Sequence, residues 1–143
     1  MNRVIHFEIH ATDTAKMAEF YKFVFGWEVK KWNPPSPKAT DGQAIPAVDY
    51  WIVMTAPDGS KELGINGGIV GRKGPASEGG EPVNAFVCTV GVPNVDEYIK
   101  KAEAAGGTLA LPKMAIPGMA WLAYCKDIEG NIFGIFEEDK NAK

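Results

Sequence analysis

The stretch VIHFEIHATDTAKMAEFYKFVFGW, residues 4–27, changes its hydrophobic period part-way along. Up to His10, apolar Ile5, Phe7 and Ile9 alternate with polar His6, Glu8 and His10. Successive side chains of a strand point to opposite faces, so two histidines and a carboxylate share one face. Beyond Asp13 the period becomes helical: Met17, Phe20, Tyr21 and Val24 fall at 0, 3, 4 and 7, one face of a helix. Asp13 or Thr12 can cap its start, and Gly26 stands where a helix often ends on glycine. The order is strand, then helix, then a further strand in WEVKKW, residues 27–32.

Outward from this stretch, the same order recurs. VDYWIVMTA (48–56) and INGGIV (65–70) read as strands around a PDGS turn. Residues 71–82, GRKGPASEGGEP, hold four glycines and two prolines in twelve positions and read as a linker. A strand follows at 84–92, then Asn94 with Glu97 three residues on, the pattern of a capping box. Val95, Tyr98, Ile99 and Ala102 repeat the helical spacing, and Gly106–Gly107 end it. Three strands close the chain at 108–116, 119–127 and 131–138. A shift of 80 residues lays Gly26 on Gly106 and the first strand on 84–90. The chain therefore reads as one domain, 1–143, of two modules (about 1–70 and 83–143), and its class as α+β. Residues 33–47, NPPSPKATDGQAIPA, carry four prolines and no period. A loop that long is expected to be a lid or binding loop.

Composition narrows the function classes. A chain of 143 residues can bury a core without staples. The net charge of −3, with no clustered basic face, argues against a nucleic-acid partner. No apolar run approaches the ~18 residues of a membrane span, and the N-terminus shows no signal-peptide core. Cys88 and Cys125 sit in apolar strand-like runs and are expected to be buried, reduced thiols. The expected compartment is the cytoplasm. No GxSxG is present. GINGGIVG, residues 64–71, opens no helix, so its glycines mark a bulged or closely approached strand rather than a phosphate loop.

HFEIHATDTAKMAEFYKFVFGW, the doubled βαβββ order and the late KDIEGNIFGIFE together resemble the vicinal oxygen chelate superfamily: glyoxalases, bleomycin-resistance proteins and extradiol dioxygenases. The resemblance spans nearly the whole chain. It implies two βαβββ modules forming a cup-shaped, eight-stranded mixed sheet with helices on the outer face. It also implies one divalent metal (Zn, Ni, Mn or Fe) held at four inner-strand positions in the metalloenzymes of the group, and commonly a homodimer. Carried over to this chain, those positions fall on His6, on Phe86, on Gly134 and near Leu63, whose neighbour is Glu62. Phe86 and Gly134 offer no ligand, so the expectation is no metal and no other cofactor.

Adjacent same-face residues of a strand stand about 6.5–7 Å apart. His6 with Glu8, or Glu8 with His10, could therefore share an ion, but all three could not without a sharp bend. The alternative is a polar corner in an apolar small-molecule site. Parity adds Phe86, Cys88 and Phe136 to the lining, and places one of Tyr50 and Trp51 inside, of which Trp51 is the candidate. Two functions remain open. The first is a metal-independent binder of a small organic molecule. The second is a glyoxalase-like lyase or isomerase, or a dioxygenase-related enzyme, with His6 and Glu8 as acid–base pair or partial metal site.

Overall fold

The computed structural model describes residues 4–32, 48–83 and 86–143. The proline-rich stretch 33–47, expected as a lid, lies outside the described residues. The chain divides into two units, one of residues 1–22 and 27–75, the other of residues 23–26 and 76–143.

The first unit holds β1 (Phe7–Ala11), most of α1 (Thr14–Phe25), β2 (Glu28–Trp32), β3 (Tyr50–Met54) and β4 (Gly67–Gly71). Its strands run in the order β1-β4-β3-β2, with β1 parallel to β4 and the other pairs antiparallel. The second unit holds β5 (Thr89–Gly91), α2 (Val95–Ala104), β6 (Thr108–Ile116), β7 (Ala120–Lys126) and β8 (Ile132–Glu138). The order there is β5-β8-β7-β6, again with one parallel pair, β5 with β8. Each module is thus βαβββ with one four-stranded mixed sheet, eight described strands in all, and the class is α+β. Among the described residues no helix is long and apolar enough to cross a membrane.

The helices form where the sequence pattern places them. Met17, Phe20, Tyr21 and Val24 of α1 are all buried. Asp13 is the cap: its Oδ1 accepts from the Lys16 amide at 3.0 Å. Asn94 Oδ1 accepts from the Glu97 amide at 2.8 Å and caps α2 in the same way. The Glu97 carboxylate turns instead to Lys101 Nζ at 2.8 Å, so only half of a capping box forms. Gly26 and Gly106 end the helices at φ of 70° and 93°, a region where a Cβ is costly.

Core packing follows. In the first unit Val29, Val53 and Ile69 are buried, and Trp27 stacks on Tyr21 at 5.3 Å with Phe7 5.9 Å away. In the second, Val95, Ala102, Ala123, Cys125, Phe133 and Ile135 are buried, with Phe25 of the last turn of α1 edge-on to Phe133. Fully burying a side chain such as Ile69 or Ile135 stabilises by about 1.5–3 kcal/mol. The β6–β7 register shifts on both sides of Leu111, beside Pro112, which has no N–H for the ladder.

The helix-ending glycines Gly26 and Gly106 keep the 80-residue offset, but the first strands and the helix caps repeat at 81. The caps Asp13 and Asn94 are 81 apart, and so are Glu8 and Thr89, each of which faces a glycine on the neighbouring parallel strand (Gly68, Gly134). One residue matters here because a strand alternates its faces at every step.

Candidate functional site

In the first sheet, register sorts the side chains. Ile9, Ile69 and Trp51 are cross-strand partners, as are Gly67, Val53 and Val29, and this set faces α1. The opposite, open face carries Glu8 and His10 of β1, Gly68 and Val70 of β4, Tyr50 and Ile52 of β3, and Lys30 and Trp32 of β2.

Tyr50, not Trp51, is the residue of that pair on the open face. Trp51 donates its indole N–H to Thr14 Oγ1 at 3.0 Å, on the helix side. Thr14 in turn donates to Asp49 Oδ2 at 2.5 Å, which with Lys31 at 3.2 Å holds the Asp49 carboxyl below its ordinary pKa. Trp51 is therefore a structural anchor for α1 and is withdrawn from the ligand-binding set. The sequence could not choose between the two because YWIVM is apolar throughout, with no polar residue to mark a face.

Tyr50 reaches across to Gly68. A Cβ on Gly68 would stand 2.1 Å from the Tyr50 hydroxyl, so only glycine leaves room for this ring. The hydroxyl lies 2.7 Å from His6 Nε2 and is also hydrogen-bonded to the Glu8 carboxylate. An ionised carboxylate only accepts, so Tyr50 donates to Glu8 and His6 Nε2–H donates to the Tyr50 oxygen. Partial burial, and then the Glu8 charge and hydrogen bond, raise the Tyr50 pKa above its ordinary value of 10.0. The phenol is therefore a neutral donor throughout the physiological range. Trp32 packs edge-on against Tyr50 at 5.7 Å, and His6, Glu8, Trp32 and Ile52 remain exposed.

His10 shares this face but lies one pleat repeat beyond Glu8, opposite Val70, outside the cluster. Its carbonyl accepts from Arg72 Nη2 at 2.7 Å.

The second sheet differs from expectation. Val90 is the partner of fully buried Ile135 and shares its side, whereas Thr89 and Gly91 face the open side with Gly134 and Phe136. The parity that put Phe86 and Cys88 on the lining face is thus one residue out of register. Phe86 and Cys88 precede β5 and are exposed, Phe86 completely, so the expected burial of Cys88 fails. Cys125 is the buried thiol, and burial pushes its pKa up to about 11. Phe136 stands half-buried on the open face beside Leu122. Gly134 opens no space: a Cβ there would lie 2.5 Å from Thr89 Oγ1.

The divalent metal implied by the resemblance does not fit these residues. Gly134 has no side chain and is covered by Thr89. Phe86 has no donor atom. Leu63 is apolar and exposed, and it precedes β4 with Glu62 in a turn region. His6 Nε2 is engaged by Tyr50. Among the described residues, no three His, Cys, Asp or Glu side chains gather to hold an ion.

The architecture has solved counterparts. A glyoxalase family protein from Bacillus cereus superposes with a TM-score of 0.68 at 17% identity, over 96% of this chain and 95% of that one. The chain has the glyoxalase fold. Another structure with this fold is a glyoxalase/bleomycin resistance protein/dioxygenase family enzyme from Burkholderia phytofirmans (TM-score 0.61, 18% identity, 94% and 97% covered). A third is the fosfomycin resistance protein FosX from Listeria monocytogenes (0.63, 14%, 97% and 95%). No family model matches the chain, and no curated protein matches its sequence. At such identities the glyoxalase fold is what is shared, and fold alone assigns no chemistry.

Gly68 is the site residue that sequence reading missed, and Tyr50 is the member of the Tyr50/Trp51 pair that it passed over. The glycine pair in GINGGIVG signalled a closely approached strand, but not which side chain approaches it.

Proposed function

We propose that this protein binds a small organic molecule on the open face of its first sheet, without a metal. His6, Tyr50 and Glu8 orient the ligand, and Trp32, Ile52 and Val70 contact its apolar body. The homodimer and the cytoplasmic location expected from the sequence belong to the same proposal. The observation that carries it is the Tyr50 hydroxyl, held 2.7 Å from His6 Nε2 over a glycine, on a face that remains exposed. Apolar and aromatic walls with a few fixed polar groups are the usual make-up of a small-molecule site. Glyoxalase-fold neighbours named for drug resistance support a binding role.

A second reading draws on the same cluster. Glu8, Tyr50 and His6 form a continuous hydrogen-bonded path, which suits a lyase or isomerase that moves a proton beside a carbonyl. In that reading Glu8 accepts the proton, and Tyr50 with His6 stabilises the developing oxyanion.

The test is a titration of phenyl-bearing fragments followed by amide and indole chemical shifts. Perturbations should centre on Glu8, Tyr50, Gly68 and Val70 and spare the Trp51 indole. Tyr50→Phe should weaken binding at least threefold. Shifts confined to other surfaces, or unchanged affinity in Tyr50→Phe, would refute the assignment.

A further inference from the structure

From the charges on this face we infer that the ligand is an organic amine, bound as its ammonium ion; the inference rests on the binding reading above. Glu8 is exposed, and its carboxylate takes one hydrogen bond from Tyr50, which leaves acceptor capacity turned outward. Its two neighbours in the cluster are the Tyr50 phenol and the His6 imidazole, so Glu8 is the one carboxylate of the corner.

The cations that share the sheet are held elsewhere. Lys30 pairs with Glu28 on β2, at the far edge of the four strands from β1. Lys31 points to the helix side, onto Asp49 and the Trp51 ring. Arg72 Nη2 is seated on the His10 carbonyl. Among the described residues no lysine or arginine forms an ion pair with Glu8. An exposed carboxylate in this setting is a counter-charge waiting for a cation from outside.

The aromatic residues favour the same class. Tyr50, whose hydroxyl is bonded to Glu8, sets its ring beside that carboxylate, and Trp32 packs against the ring at 5.7 Å and 70° from the β2 side. Aromatic faces attract ammonium groups. They would do little to distinguish a neutral ligand from an anion, which Glu8 would repel. An ammonium group on an apolar or aromatic body satisfies carboxylate, ring faces and the neighbouring Ile52 and Val70 together. A carboxylic acid satisfies only the last two.

Three fragments with a common 2-phenylethyl body separate the classes: 2-phenylethylamine, 2-phenylethanol and 3-phenylpropionate, titrated at pH 8 against the native chain and Glu8→Gln. The amine should bind at least fivefold tighter than the alcohol, with the acid weakest. Glu8→Gln should bring amine and alcohol within twofold of each other while the alcohol keeps its affinity. Retained amide chemical-shift dispersion shows that the variant folds. Tyr50→Phe, which keeps the charge, should weaken amine and alcohol alike and preserve the preference. If the alcohol or the acid binds on this face as tightly as the amine, the amine assignment falls and the binding reading stands. The same holds if Glu8→Gln leaves the preference intact. If none of the three perturbs β1, β3 or β4, both fall.

Discussion

The two open sheet faces are built on one plan and have diverged in what covers one position. Each carries a glycine on the strand parallel-paired to the module's first strand, Gly68 opposite Glu8 and Gly134 opposite Thr89. On the second sheet the residue opposite does the covering, and Thr89 lies directly over Gly134. On the first sheet the cover comes diagonally from β3: Tyr50 is the register partner of Val70, yet its ring reaches Gly68. Long aromatic side chains span such diagonal positions. Because Tyr50 does the covering, Glu8 is left facing outward. The glycine is a backbone-level demand that both modules share, and the chemistry depends on which neighbour answers it.

The sharpest way to break this comparison uses adjacent glycines of β4. Gly67→Ala would place a Cβ 2.5 Å from the Phe7 carbonyl oxygen, where backbone must move. We expect a loss of about 3 kcal/mol, read by urea unfolding. Gly68→Ala meets only the tip of Tyr50, which can swing away, so its stability should change by less than about 1 kcal/mol. Its fragment affinity should nevertheless fall at least fivefold. Equal destabilisation by both would mean that Tyr50 is packed as rigidly as the core.

Alkaline titration compares the buried side of one sheet with the open side of the other. Cys125 and Tyr50 both have folded-state pKa values above their ordinary ones, the thiol at about 11. The folded state thus keeps protons that the unfolded chain has released. Their stabilisation is full below pH 9 and is lost as pH rises, for Cys125 between about 9 and 11. The thiol should account for roughly 1–2 kcal/mol of that loss, and Cys125→Ala should flatten this part of the curve. Tyr50→Phe should alter it only above pH 10. A melting temperature flat to pH 11 in the native chain would contradict both assignments.

The helix caps test the 81-residue equivalence. Asn94→Ala should cost about 1 kcal/mol, and Asp13→Ala should lower the melting temperature in parallel. A large effect in only one would show that the modules carry unequal shares of stability. The smallest effect belongs to the exposed pair Lys101–Glu97. Lys101→Gln should shift the melting temperature by less than about 1 °C, and not at all in 1 M salt.

Legibility in the sequence followed the range of each interaction. The helices, their caps and their terminal glycines depend on residues three or four apart, so Met17, Phe20, Tyr21, Val24, Asp13 and Asn94 could be read directly. The sides taken by Trp51, Phe86 and Cys88 could not. YWIVM and AFVCTV are apolar runs without alternation, and β5 spans only three residues, so nothing local fixes the register. His6 and Glu8 stood out because their strand does alternate. Their meeting with Tyr50, 44 positions away from His6, is a product of sheet order and cannot be seen in any short window.

Three consecutive residues of β4, Gly67, Gly68 and Ile69, are buried, yet Gly68 has no side chain with which to shelter its own backbone on the open face. Its roof is borrowed from Tyr50, a residue at the very start of another strand. Shelter of that kind is revocable. Whenever the phenol tilts away, water gains the middle of a paired strand without any ladder hydrogen bond having to break first, and when the phenol returns the water must leave. The driest backbone on this face is therefore one rotamer change from being wet.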